Sequence, residues 1–225
     1  SWDDPGAAIR AAVSDIPEHP YALTPARDIR LALSRFTGFL AESGLAFRGH
    51  EDRNVKMMTS VGSIKRTYRV PESMWAGVRA LENKAPCLLV SFHGLKGYSS
   101  RQIQETLSPN WPGLKDVRVD FPGQPRELYP EHMAWDMADP KNRQALAETL
   151  RPHLGEAQYV GFPAMLGLYG ARAVHSHMEE LLGRQVFEIP TMPPSITGQR
   201  LRAVFDRNLP GDKVTMLSQQ LVTRA

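Results

Sequence analysis

One cysteine, Cys87, is all that 225 residues contain, so no intrachain disulfide braces the fold. Set inside the apolar run Cys87-Leu-Leu-Val90, it reads as a small hydrophobe, a usage that fits a reducing compartment. No apolar stretch approaches the roughly 18 residues of a membrane-spanning helix. Long blocks of one charge are missing too. The 27 Lys and Arg are scattered among 24 Asp and Glu for a net charge of +3, which describes a mixed polar surface and argues against a nucleic-acid footprint. Neither Gly-x-Gly-x-x-Gly nor Gly-x-x-x-x-Gly-Lys-Ser/Thr occurs, so the sequence displays no nucleotide-binding half of its own. A Gly-x-Ser-x-Gly elbow and a Cys/His arrangement are also lacking, which argues against a covalent hydrolase. His19, His50, His132 and His153 have no metal-ligand spacing, and His175 and His177, two apart, fall on different faces of a helix. The first residues, Ser1-Trp-Asp-Asp4, carry neither Met nor a signal-peptide pattern, which reads as a processed or excised piece.

What is present is an α/β pattern: a largely parallel sheet flanked by helices, preceded by a helical segment and a small β-hairpin. Ile9, Ala12, Val13 and Ile16 predict a short helix from about Pro5 to Ile16, ended by Pro17-Glu-His-Pro20. Thr24 as N-cap, Pro25 at the first helical position and Ile29, Leu33, Phe36 and Leu40 on one face predict a second, closed by Gly44. Val55 to Met58 and Ile64 to Val70 read as a strand pair around Val61-Gly62-Ser63. From Ala85 strands and helices alternate. Strands are expected at Cys87 to Phe92, Val117 to Phe121, Gln158 to Phe162 and Val186 to Ile189, the second at an edge because Asp116, Arg118 and Asp120 interrupt it. Helices follow Ser99, which with Gln102 makes a capping box, then Asp139-Pro140, Ala171 and Ser195. A Pro- and Gly-bearing connection spans Pro122 to Arg126. One domain is expected over 1–225, with 1–84 as an appendage and 85–210 as the alternating core.

Two loops carry the candidate chemistry. In Glu188-Ile-Pro-Thr-Met-Pro-Pro-Ser-Ile-Thr-Gly-Gln-Arg-Leu201, Pro190 ends a buried strand and Pro193 and Pro194 stiffen the turn. Ser195 then caps a helix whose free N–H groups favour an anion; the plain alternative is a rigid strand-to-helix connection. Arg200, inside that helix, is expected to reach back along it to a carboxylate or phosphate, against the alternative of a surface salt bridge. His93-Gly-Leu-Lys-Gly97 sits just outside a strand's carboxyl end, where open α/β sheets place ligands. There Lys96 is suited to a phosphate and His93 to proton transfer near neutral pH, although one His and one Lys in a loop are ordinary.

His19-Pro-Tyr-Ala22, Ala41-Glu-Ser-Gly44, Gly62-Ser-Ile-Lys-Arg-Thr67 and above all Pro190-Thr-Met-Pro-Pro-Ser-Ile-Thr-Gly-Gln-Arg-Leu201 resemble the B-subunit of anaerobic glycerol-3-phosphate dehydrogenase, in the FAD-binding oxidoreductase superfamily. The resemblance runs, with gaps, from about Pro17 to Leu209, and it implies a middle or substrate-side (cap) domain without the flavin-binding glycine turn. It implies a flavin, FAD or FMN, in the complete subunit and none held by this chain alone. The implied reaction is oxidation of sn-glycerol 3-phosphate to dihydroxyacetone phosphate in anaerobic glycerol metabolism, with electrons passed to quinone through partner subunits. The implied place is cytoplasmic, peripheral to the inner membrane through those partners. Carried onto this sequence, Thr191, Pro193, Pro194, Ser195, Gly198 and Arg200 become cofactor-side residues, and His93, Lys96 and Arg200 substrate-side ones. Two other readings stand beside it: a non-catalytic module that docks the other subunits, and a free-standing phosphosugar-binding α/β domain.

Overall fold

The computed structural model describes residues 3–123 and 127–209, with residues 214, 215, 217 and 221 beyond them. Residues 1, 2 and 124–126, the latter in the expected Pro122-to-Arg126 connection, lie outside the described residues, as does residue 210.

The N-terminal helices form nearly where the caps place them, as α1 (Pro5–Asp15) and α2 (Ala26–Glu42). Pro25 rather than Thr24 is the N-cap of α2, with no side-chain cap bond, so the boundary moves by one residue. Strand β1 (Phe47–Arg48) pairs antiparallel with β4 (Val70–Pro71), and β2 (Val55–Met58) with β3 (Ile64–Thr67).

Helix α3 (Glu72–Asn83) is an element that the sequence pattern does not predict. It buries Met74, Gly77, Val78 and Leu81, the i, i+3, i+4, i+7 spacing of a single helical stripe. That stripe packs on the sheet rather than on the N-terminal strands alone, because Ala80 and Leu81 share a cluster with Leu89, Phe187 and Ile189. The expected boundary at 84/85 therefore follows a helix that belongs to the sheet's packing.

The main sheet contains β5 (Cys87–Phe92), β6 (Leu114–Val119), β7 (Tyr159–Pro163) and β8 (Gln185–Ile189), all parallel, in the order β6-β5-β7-β8. The apolar runs of β5 and β7 are buried throughout, as central strands covered on both faces require. The interrupted strand is at an edge, and it starts at Leu114, three residues before the expected Val117, directly after the Trp111-Pro-Gly turn. Helices α5 (Pro130–Asp136), α6 (Pro140–Leu150) and α7 (Ala171–Leu182) cover one face through Met133, Leu146 and Met178; α3 and α4 (Ser100–Leu107) cover the other. Helix α8 (Ile196–Asn208) leaves the end of β8 and sets Ile196 against Ala134 and Ala164. No helix among the described residues is long and apolar enough to cross a membrane.

Phe187, fully buried, fixes one spacing in this core. A methyl group on Gly77 of α3 would fall 2.4 Å from its ring, and one on Gly161 of β7 would fall 2.5 Å from it, so the ring fits only because both positions lack a side chain. Deeper in the same cluster, the Tyr98 hydroxyl is buried with no hydrogen-bond partner among the described residues, and burial pushes both this phenol and the Cys87 thiol well above their ordinary ranges. Tyr98→Phe removes an unsatisfied hydroxyl at almost constant volume and should raise stability by about 1 kcal/mol in urea denaturation. A loss of stability would mean that the hydroxyl has found a partner.

Candidate functional site

The strand order defines where a ligand crevice would open. From β5 the chain crosses to β6 on one side through α4, and from β7 it crosses to β8 on the other through α7, so the connections diverge at the carboxyl ends of β5 and β7. Both candidate loops lie on this rim.

After β5, Gly94 and Gly97 take φ of +83° and +73°, left-handed values that let the loop double back before Ser99 caps α4 by accepting a bond from the Gln102 N–H at 3.2 Å. His93 Nδ1 lies 2.9 Å from Asp120 Oδ1, and the Lys96 ammonium donates to Glu127 Oε1 at 2.8 Å. Both side chains are exposed, and the bond to Glu127 holds the Lys96 ammonium above its ordinary pKa. Leu95 turns inward between them and packs against the clusters on both faces of the sheet.

After β8, the expected stiff turn is present. The Pro193-Pro194 peptide is cis, and the Ser195 hydroxyl caps α8 by accepting the Gly198 N–H at 3.3 Å. Pro193, Pro194 and Gly198 are exposed on the outer side of this turn. Met192 closes over the other loop, its Cγ only 3.4 Å from where a side chain on Gly97 would begin. The two candidate loops therefore meet. Beside that contact the Thr191 hydroxyl is buried with no hydrogen-bond partner among the described residues, an incomplete polar group of the kind a ligand satisfies.

Arg200 differs from expectation. Rather than reaching an anion beyond the loop, its guanidinium is turned into the protein, with Nη1 and Nη2 donating to Glu188 Oε2 and Oε1 at 2.5 and 2.9 Å and Nε to the Gly167 carbonyl at 2.8 Å. Neither side chain of the pair is more than 4% exposed. The physical reason lies in Glu188, a carboxylate in an otherwise apolar strand, which cannot stay ionised there without a cation and donors. Burial pushes its carboxyl up, but the Arg200 guanidinium and the Leu166 N–H outweigh that and hold it below its ordinary range. The same carboxylate accepts the Met165 and Leu166 N–H groups at 2.9 and 2.7 Å. One ion pair thus ties β8, the loop after β7 and α8 together. A charged residue in the run Val186-Phe187-Glu188-Ile189 was the available signal for it.

This geometry bears on which parts of a dinucleotide cofactor could fit. Pyrophosphate binding at a switch point uses free backbone N–H groups in the loops beyond the strands. Here the Met165 and Leu166 donors are spent on Glu188. Those two donors are therefore not available to a pyrophosphate, and the Thr191 hydroxyl is the polar group of the rim that lacks a partner among the described residues. No group of three or more His, Cys, Asp or Glu able to hold a metal occurs among the described residues.

A parallel sheet in the order β6-β5-β7-β8, with helices on both faces and two loops meeting over its strand ends, defines the class as an open α/β-sheet protein. The chain belongs to the FAD binding domain family, whose model matches residues 1–224. It is similar to the B-subunit of anaerobic glycerol-3-phosphate dehydrogenase from Actinobacillus succinogenes, with 28% identity over 217 residues covering 89% of this chain and 50% of that protein. The probable B-subunit from Halobacterium salinarum is 30% identical over 217 residues, covering 89% and 49%, and that from Pectobacterium atrosepticum 25% identical over 217, covering 90% and 51%. The chain spans about half the length of the curated relatives it matches. No solved structure matches it.

Proposed function

We propose that this chain is the substrate-side portion of a flavin-dependent oxidoreductase subunit that oxidises sn-glycerol 3-phosphate to dihydroxyacetone phosphate, with electrons leaving for quinone through partner subunits. The observation that carries the reading is the meeting of the two loops: Met192 lies over Gly97, with the unpartnered Thr191 hydroxyl buried at the seam. The names of the relatives support the choice of substrate.

In this reading Thr191, Pro193, Pro194, Ser195 and Gly198 form a rigid wall for one side of the flavin ring, while the pyrophosphate is held by residues outside this chain. A flavin held against this wall would supply a two-electron acceptor for the hydride of the alcohol carbon's C–H bond. Lys96, protonated and on an exposed loop, would pair with the substrate phosphate in exchange for Glu127. With Nδ1 donating to the Asp120 carboxylate, His93 Nε2 keeps a lone pair that can accept the hydroxyl proton. Arg200 acts as a positioning residue, holding the loop after β7 against α8.

Titrating the chain with glycerol 3-phosphate while following the His93 ring and the Lys96 ammonium by NMR tests the substrate assignment. Both signals should move saturably, and Lys96→Gln should weaken binding about tenfold, the value of one charge-assisted contact. Signals that stay in place at millimolar ligand would end it. Calorimetry with FAD and FMN should give no binding of micromolar strength to the chain alone, because the backbone donors at the rim are already bonded. Tight binding of either flavin would contradict the division of the cofactor between two halves.

The docking reading keeps one specific support. Leu33 and Phe36, three residues apart on one face of α2, are exposed on a helix whose only buried residue is Leu40, apolar surface suited to another protein.

A further inference from the structure

A half-open groove of about 340 Å3 lies beside the β8 edge, away from the strand ends, between the end of α2, α3 and α7. We propose that it is a second ligand site, which binds a small dianion on a short carbon frame, a phosphate monoester or a dicarboxylate, through Arg79 of α3 and Arg172 of α7. The proposal is independent of the rim reading, since none of His93, Lys96 or the Pro-Pro turn lines this groove.

Charge is the first argument. Four arginines line the groove, Arg48, Arg79, Arg172 and Arg200, against two glutamates, Glu72 and Glu179. Arg48 is committed, donating through Nε and Nη2 to Glu72 Oε1 at 2.9 and 2.6 Å, and Arg200 is committed to Glu188. Glu179, whose Oε1 accepts the Val186 N–H at 3.1 Å and whose Oε2 lies 3.7 Å from His175 Nδ1, is the one acid of the groove set against the two remaining arginines. Arg79 of α3 and Arg172 of α7 line the groove with no ion-pair partner among the described residues. One arginine from each of two helices on a single concavity can bring donors to an oxyanion, the chemistry that carboxylates and phosphates match bidentately.

The second argument concerns what the groove refuses. An extended peptide would enter by pairing with the outward backbone groups of β8. Those of Val186 are already closed, the N–H by Glu179 and the carbonyl by His175 Nε2 at 2.9 Å. A compact ligand needs neither group. Trp75, Ala76, Ala41 and Leu45 supply the apolar part of the lining, and the volume is at the small end of the range for small-molecule sites, roughly 300–1,000 Å3. Ser73 adds a buried hydroxyl on the same wall. It stands close enough to Glu188 to favour the ionised carboxylate.

The test follows the arginine Nε–H signals of the chain by NMR at constant ionic strength, with inorganic phosphate in one titration and succinate in the other. The Arg79 and Arg172 signals should saturate with one common Kd for at least one probe, and the tighter probe identifies the ligand's anionic group. Arg79→Gln and Arg172→Gln should each weaken that Kd at least tenfold with the melting temperature unchanged, since both side chains are exposed. Non-saturating drift with both probes, or a Kd that neither substitution alters, overturns the proposal. The glycerol 3-phosphate titration reads His93 and Lys96 instead, so failure at one site is separable from failure at the other.

Discussion

Glu188→Ala should destabilise the protein by about 3–5 kcal/mol, the cost of leaving one member of a buried ion pair without its partner. The substitution strands the Arg200 guanidinium in a site where it is at most 4% exposed and removes the acceptor for the Met165 and Leu166 N–H groups. Arg200→Ala should cost a similar amount, since it leaves the carboxylate buried and unpaired. Replacing both, as Glu188→Leu with Arg200→Met, should recover part of the loss but not all, because the backbone groups of Met165, Leu166 and Gly167 still lack partners. Urea denaturation of the parent, the two alanine variants and the Leu/Met double variant ranks these losses, and single variants that unfold at the parental midpoint would refute the prediction. The acid response has a definite sign. Because the folded carboxyl lies below its ordinary value of 4.5, the pair's contribution is complete above that pH and fades as pH falls through the depressed folded value. In Glu188→Leu/Arg200→Met that part of the acid sensitivity should vanish.

Trp111→Ala should cost about 3–5 kcal/mol, the range for deleting a large buried aromatic side chain. Trp111 is fully buried between α4 and β6, and its indole N–H donates to the Ala85 carbonyl at 2.8 Å just before β5. Its loss would open a cavity under the helix that follows the His93 loop and orphan a carbonyl at the entry to the central strand. Trp111→Phe should cost less, because the ring volume is mostly kept while the hydrogen bond is lost. Equal effects of the two substitutions would place the whole contribution in the hydrogen bond.

Much of the fold was legible because each core strand is an apolar run bounded by turn-forming residues. The caps at Ser99, Asp139 and Ser195 each accept the expected backbone N–H. Helix α3 was not legible for a local reason: Gly77 interrupts it, and glycine ordinarily argues against a helix interior. Gly77 is there to admit Phe187, more than a hundred residues away, so no local pattern reveals its purpose. The site divides the same way. Residues placed in the loops at strand ends, His93, Lys96, Pro193, Pro194 and Ser195, were legible as a set of loops. Which cation answers Glu188, and that Met192 covers Gly97, are tertiary facts with no local signature.

The seating of Phe187 between two glycines has a mechanical consequence. Helix α3 and strand β7 are held one aromatic ring apart, and neither can slide past the other without driving the ring into backbone. The sheet and its covering helix therefore behave as an anvil. Accommodation of a bound molecule must fall to the segments that overhang it, where Met192 rests on Gly97 through contacts that can part without disturbing the packing below.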